Sequence, residues 1–228
     1  MPKQAWHIRA PVQFDQERRE IEAAYPSLQF AIADTDVVIE GLFPIRDDGG
    51  VIDEFAVRIT LGSNYPVIPP SVCETGGRIP RIQDRHVYPE TGNACLLLPE
   101  ERWRVWPTGS SLLSFLDGPV RNYYMGQAMV ERGDPWPFDE WSHGIEGQLE
   151  YYREVFGTDN LGHVRKYLEY MIAKKVKGHW ECPCGSGRRI RDCHSQQIYS
   201  LRMRMPRTDA HVALNRLARV KQVLGKGV

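Results

Sequence analysis

Short connections between β-forming stretches set the architecture of this chain. Residues 28–33 and 36–43 alternate or cluster apolar residues, and Ala33-Asp34-Thr35 reads as the turn between them. Arg46-Asp47-Asp48-Gly49-Gly50 reads as a hairpin loop. Residues 52–61 follow, with Phe55, Val57 and Ile59 facing one way and Glu54 and Arg58 the other. Ser71-Val72-Cys73-Glu74 is a short last strand. Strands joined this way are antiparallel neighbours. Before them, residues 11–25 read as a helix with Phe14, Ile21, Ala24 and Tyr25 among charged positions, Asp15 as its candidate cap and Pro26 as its stop. A helix followed by a four-stranded antiparallel meander predicts an α+β fold with helices covering one face of the sheet.

The remaining elements are helical. Residues 109–131 run from a Gly109-Ser110-Ser111 cap through Leu112, Phe115, Leu116, Val120, Tyr123, Tyr124 and Met129, with Gly118-Pro119 as a break or kink. Residues 146–156 and 161–176 read as further helices. Asp209 opens a basic amphipathic one with Ala210, Leu214, Leu217 and Leu224 on its apolar side. Trp103, Trp106 and Trp136 read as packing residues.

Residues 76–94 carry neither period, and long loops inside compact domains tend to be functional or disordered. The loop ends in His86-Val87-Tyr88-Pro89-Glu90-Thr91-Gly92-Asn93-Ala94-Cys95-Leu96. Cys95 therefore sits where irregular chain re-enters the protein. A thiol so placed, with a His nearby, is a candidate nucleophile; a small buried hydrophobe is the alternative. Arg78, Arg81, Arg85 and His86 would favour its thiolate if they fold close to it. Cys73, on the last strand, reads as half-buried filler.

The strand, Tyr65-Pro66…Pro69-Pro70, His86, Gly92-Asn93-Ala94-Cys95-Leu96, and Trp106-Pro107 before a helix resemble the ubiquitin-conjugating enzymes over roughly residues 15–125. Gly92-Asn93-Ala94-Cys95-Leu96 falls on that family's active-site Gly-x-x-Cys-Leu. The chain departs from it at His86-Val87-Tyr88, where the family has His-Pro-Asn, so the family's oxyanion-supporting Asn has no direct counterpart. The segment from Asp134 to Gly144 looks like the extension of conjugating-enzyme-like proteins in bacterial antiphage operons, including those called CBASS. The resemblance implies an acyl transferase that holds a protein as a thioester on Cys95 and passes it to an amine of a target protein. It implies a separate activating-enzyme-like protein, and a ubiquitin-like protein or a nucleotidyltransferase as the transferred cargo. His86 and Asn93 are the nearest candidates to support the oxyanion, with the backbone after Cys95 as the alternative donor and loop packing as the alternative role of His86, and His143 is a weaker third candidate for proton handling. Two rival readings stand beside this one: a catalytically degenerate binding scaffold, and a nucleic-acid binder.

Cys182-Pro183-Cys184-Gly185-Ser186-Gly187-Arg188-Arg189-Ile190-Arg191-Asp192-Cys193-His194 is the most specific local pattern. Three thiols and an imidazole can supply the four ligands of tetrahedral zinc, and four protein ligands make the site structural. Gly185 and Gly187 let the backbone bend between ligand pairs. The run resembles the SEC-C zinc motif, with Cys182, Cys184, Cys193 and His194 at its ligand positions, and SEC-C modules are binding appendages. The expected organisation is a catalytic domain over 1–157, a connecting helix over 158–180, a zinc module over 181–197 and a basic C-terminal helix over 198–228.

Net charge is zero, yet residues 161–228 hold fifteen Lys and Arg against four Asp and Glu, a local excess of +11. That excess is the basis for the nucleic-acid reading; packing against the chain's own acidic half is the plain one. An odd count of five Cys argues against a secreted disulfide framework. Neither a membrane-spanning run nor a signal-peptide core is visible, so no membrane partner and a cytoplasmic location are expected.

Overall fold

The computed structural model describes residues 4–139, 141, 142 and 144–224. It is an α+β protein, and its chain gathers into two compact units. One comprises Met1–Leu96 with Trp106–Asp139; the other comprises Leu97–Val105 with Glu140–Val228.

The first unit opens with a short helix, α1 (Trp6–Arg9), and then α2 (Pro11–Ala24). Pro11 occupies the first helical position after Ala10, so Asp15 lies inside the helix and does not cap it. A proline fits there because its fixed φ suits the first turn and its missing N–H would have had no partner. Four strands follow, β1 (Leu28–Ala33), β2 (Asp36–Asp47), β3 (Gly50–Leu61) and β4 (Ser71–Glu74). They form one antiparallel sheet in sequence order. β2 and β3 run further than the apolar pattern suggests, so their connection shrinks to Asp48-Gly49, where the Gly49 N–H donates to Asp47 Oδ1 at 2.8 Å. Register places Ile39 opposite Ile59 and Phe43 opposite Phe55. All four are fully buried, together with Val37, Val57, Leu61 and Val72. Each such side chain contributes about 1.5–3 kcal/mol of burial, which is what pins the register.

After β4, a single 3-10 turn (Gln83–Arg85) is the only helical element until the segment reaches Cys95. The following helix is interrupted. Ser111 caps α4 (Leu112–Phe115), accepting from the Ser114 N–H at 3.1 Å. A π-helical turn over Leu116–Val120 then leads into α5 (Arg121–Glu131). Pro119 lies inside that turn and has no N–H to donate, so the wider turn is its accommodation. α5 sets Tyr124 against the sheet, its ring 5.7 Å from Phe43 and 4.9 Å from Phe55.

The second unit consists of α3 (Arg102–Val105), α6 (Ile145–Phe156), α7 (Leu161–Ile172), α8 (Ser195–Arg204) and α9 (Arg207–Leu224). Its core holds Tyr151, Tyr152, Phe156, Val164, Tyr167, Leu168, Met171, Ile198 and Leu217. Tyr152, Phe156 and Tyr167 stack in series at 5.9 and 4.8 Å. The units therefore part after Asp139, not after residue 157, because α6 spends its aromatic face on this second core. Trp103 belongs to it as well, donating from Nε1 to Tyr151 Oη at 2.8 Å. α7 ends at Ile172, short of the expected 176 and 180. The expected single C-terminal helix is two helices, since Pro206 bars the residue before it from helical backbone and Met205 is extended.

Part of the basic excess is spent inside this unit. Arg216 pairs with the buried Glu100 at 2.6 Å. Arg202 donates to the carbonyls of Tyr170 and Ala173, and Lys166 pairs with Glu181 at 2.8 Å. No described helix is long and apolar enough to cross a membrane.

Candidate functional site

The segment before Cys95 folds back on itself and lies beside β4. Asn93 forms an antiparallel bridge with Cys73, and Ala94 forms one with Val87. The Ala94 N–H donates to the Val72 carbonyl, and the Cys95 N–H to the His86 carbonyl, both at 2.7 Å. Between the two legs the chain turns tightly. The Tyr88 N–H donates to the Asn93 carbonyl at 2.9 Å, and the Tyr88 carbonyl accepts from Gly92 at 2.8 Å. Gly92 has φ of +74°, a left-handed backbone that strains any side chain, and a Cβ there would also press on the Arg81 guanidinium at 3.0 Å. Cys95 leaves this turn half-buried. Its thiol donates to Tyr88 Oη, with Sγ and Oη 3.3 Å apart.

The sequence-predicted residues take separate places around the sulfur. His86 is joined to Cys95 through the backbone, while its ring packs on the Trp136 ring with centroids 4.4 Å apart. Trp136 in turn lies over Gly126 of α5, where a Cβ would meet the indole at 2.5 Å. Asn93 acts through its backbone, its N–H donating to Thr91 Oγ1 at 3.2 Å. His143 lies outside the described residues. Two of the arginines expected to favour a thiolate are committed elsewhere. Arg78 binds both oxygens of Asp53 at 2.9 Å and Glu131 at 2.6 Å. Arg85 donates to Gln127 Oε1 at 2.7 Å and accepts from that amide through its carbonyl at the same distance. Arg78 hydrogen bonding holds the Asp53 carboxyl below its usual range. Cys73 is half-buried, and burial pushes its thiol up.

The Cys/His cluster forms a second candidate site. The ligand atoms of Cys182, Cys184, Cys193 and His194 all lie within 4.8 Å of one another, so the group could hold a metal ion. His194 Nδ1 is 3.3 Å from both Cys182 Sγ and Cys193 Sγ, and Cys184 Sγ is 3.7 Å from Cys193 Sγ. A tetrahedron with zinc–sulfur bonds of about 2.3 Å has edges of about 3.8 Å, so these separations fit. Gly185 and Gly187, both at positive φ, make the bends between the ligands. Burial pushes the Cys182 thiol up to about 11. Burial acts the same way on Cys184, but hydrogen bonding by Ser186 and the neighbouring thiols holds it down to about 6. One sulfur is thus ready to bind as a thiolate, and a cation would supply the rest of the drive. Cys182 and Ile190 are fully buried within the core of α6–α9, so the cluster is stitched into the second unit's core.

No family model, curated protein or solved structure matches the chain. The reading of the site thus rests on the residues themselves. The one that sequence reasoning passed over is Tyr88. It stands third in His86-Val87-Tyr88, seven residues before Cys95, and that nearness was the signal available for it.

Proposed function

We propose that the first unit is a ubiquitin-conjugating-enzyme-like acyl transferase with Cys95 as its nucleophile, and that the second unit carries a structural zinc ion on Cys182, Cys184, Cys193 and His194. The observation that carries the transferase reading is the seating of Cys95. Cys95 is a half-buried residue at the end of a turn fixed by backbone hydrogen bonds, and its sulfur has a hydroxyl at 3.3 Å. The order of elements, a helix, an antiparallel meander, a long crossing segment and then a helix, supports the same reading. The further placement, in bacterial antiphage defence, rests on the likeness of residues 134–144 alone.

In this reading Cys95 Sγ attacks the carbonyl carbon of a protein held as a thioester on an activating enzyme. A new carbon–sulfur bond forms, the old one breaks, and the activating enzyme's thiolate leaves. An amine of the target then attacks the same carbon, Cys95 leaves as thiolate, and the amine's proton passes to solvent. A thioester suits both steps because sulfur attacks well as thiolate and also leaves well. When bound, zinc holds the four ligands in place and takes no part in transfer.

The test is to charge the Cys95→Ser protein with its cognate activating enzyme and cargo. Serine should trap an oxyester that survives thiol reductants, while the wild-type adduct is released by them. Absence of any reducible adduct on the wild type under these conditions sinks the transferase reading.

A further inference from the structure

The transfer reading leaves open which group meets the negative charge that develops at Cys95. We propose that the Tyr88 hydroxyl is that group: it donates a hydrogen bond to the Cys95 thiolate and then to the oxyanion formed on the carbonyl under attack. The proposal rests on the transferase reading, but its first half concerns this chain alone.

Three observations point to Tyr88. Its Oη is 3.3 Å from Cys95 Sγ, within sulfur hydrogen-bond range. Its backbone is fixed at both ends, the N–H donating to the Asn93 carbonyl at 2.9 Å and the carbonyl accepting from Thr91 and Gly92 at 3.2 and 2.8 Å. Cys95 is fixed on the facing leg through the His86 carbonyl. The two side chains thus meet because the closed turn sets their backbones on facing legs. His86, the other candidate on the near leg, has its ring packed on Trp136.

A phenol hydroxyl both accepts and donates. With the thiol protonated, Oη accepts from it. Once that proton passes to solvent, the hydroxyl turns its own proton toward the thiolate. When sulfur attacks, the carbon–sulfur bond forms and the carbonyl π pair moves onto oxygen. That oxygen is one carbon from sulfur, and the proposal puts it within hydrogen-bond reach of the hydroxyl that already contacts the sulfur. Collapse returns the pair and expels a thiolate, from the activating enzyme in the first step and from Cys95 in the second. Tyr88 keeps its proton throughout and acts as a donor, not as a base. A fixed donor aimed where charge appears is the arrangement that lowers such barriers.

Tyr88→Phe removes one oxygen from a side chain that is 42% exposed, so the fold should persist. Two probes are applied to the full chain: iodoacetamide, with the Cys95 peptide followed by mass spectrometry across pH, and a small glycine-ended peptide thioester as acyl donor. The alkylation profile decides the Tyr88 proposal. It should move to higher pH in Tyr88→Phe, with the neutral-pH rate falling about 10-fold or more, the low end of what a hydrogen bond to a charged group is worth. An unmoved profile overturns the proposal, whatever the transfer rate. Acyl uptake by the wild type decides the transferase reading separately. If the wild type takes no acyl group yet the profile still moves, that reading fails and Tyr88 stands as the thiolate's donor. If Tyr88→Phe melts well below wild type, Tyr88→His, which returns a donor, must recover the profile; failure to do so also overturns the proposal.

Discussion

Glu17 is the acid that the first unit buries beneath its Tyr-Pro corner. It lies on α2, where Tyr65 Oη donates to its Oε2 at 2.7 Å and Gln13 Nε2 donates to its Oε1 at 2.9 Å. Those two hydrogen bonds favour the carboxylate, but burial outweighs them, and the net effect raises its pKa. The folded state therefore holds the proton more tightly than the unfolded chain does. Stability from this group is complete below the unfolded carboxylate range and is lost as pH rises through the folded value. Glu17→Gln, which imitates the protonated acid, should melt close to wild type at about pH 4 and above it at about pH 8. A difference in melting temperature that stays constant across this range would show that burial does not control the group. Tyr88 and Glu17 make the same point about what single residues reveal before folding. A tyrosine seven residues before Cys95 is visible in the chain, but its hydroxyl comes within 3.3 Å of the sulfur only once the turn has closed. A glutamate at a helical position reads as solvated until Tyr65 is laid over it.

The segment after α5 is an element held by one ring. Trp136 packs between His86 and α5, touching the Tyr123 ring at 6.3 Å and that of Phe138 at 6.1 Å. The slot exists because residue 126 has no side chain. Gly126→Ala should drive the indole out and cost about 1–3 kcal/mol, as overfilled sites do, although the substitution favours helix. Trp136→Ala should lose the same contact by another route. The pair should therefore be strongly non-additive, the double variant costing little more than either single one. Additive losses in denaturant unfolding would show that the glycine and the indole do not act through each other. At this scale the strands were legible, because alternation reports which face is buried, and β4 matches its expected bounds residue for residue. Pro119 marked a real interruption, since proline acts on its own neighbours, whereas the expected 198–228 helix runs through Pro206 against the same rule. The packing of His86 on Trp136 was not legible, because it joins two segments with no shared period. Nor was the diversion of Arg78 and Arg85 to Asp53, Glu131 and Gln127, which only the closed sheet and α5 bring within reach.

On the scale of the whole molecule, the chain builds two cores, and the cysteine cluster belongs to one of them. Cys182 and Ile190 are buried with Tyr167, Leu168 and Ile198, so the backbone around the ligands is also the wall of that core. The partition was hidden from the sequence because residues 97–105 join the second unit through Trp103 to Tyr151 and Glu100 to Arg216, pairs far apart in the chain. The spacing of the four ligands was legible without any of this, since they lie within one short run. Ion binding at such a site adds to the stability of whatever fold assembles its ligands. Here that fold is the second unit, not a detached module. Removing the ion with a chelator should therefore expose amides of α7 and α8 to hydrogen exchange while leaving those of β2 and β3 protected. Cys182→Ser should do the same without chelator, and elemental analysis should find less zinc bound per chain than in the wild type. Exposure confined to residues 181–194 would mean that the core of the second unit stands without its metal. Equal loss in β2 and β3 would mean that the two cores unfold as one.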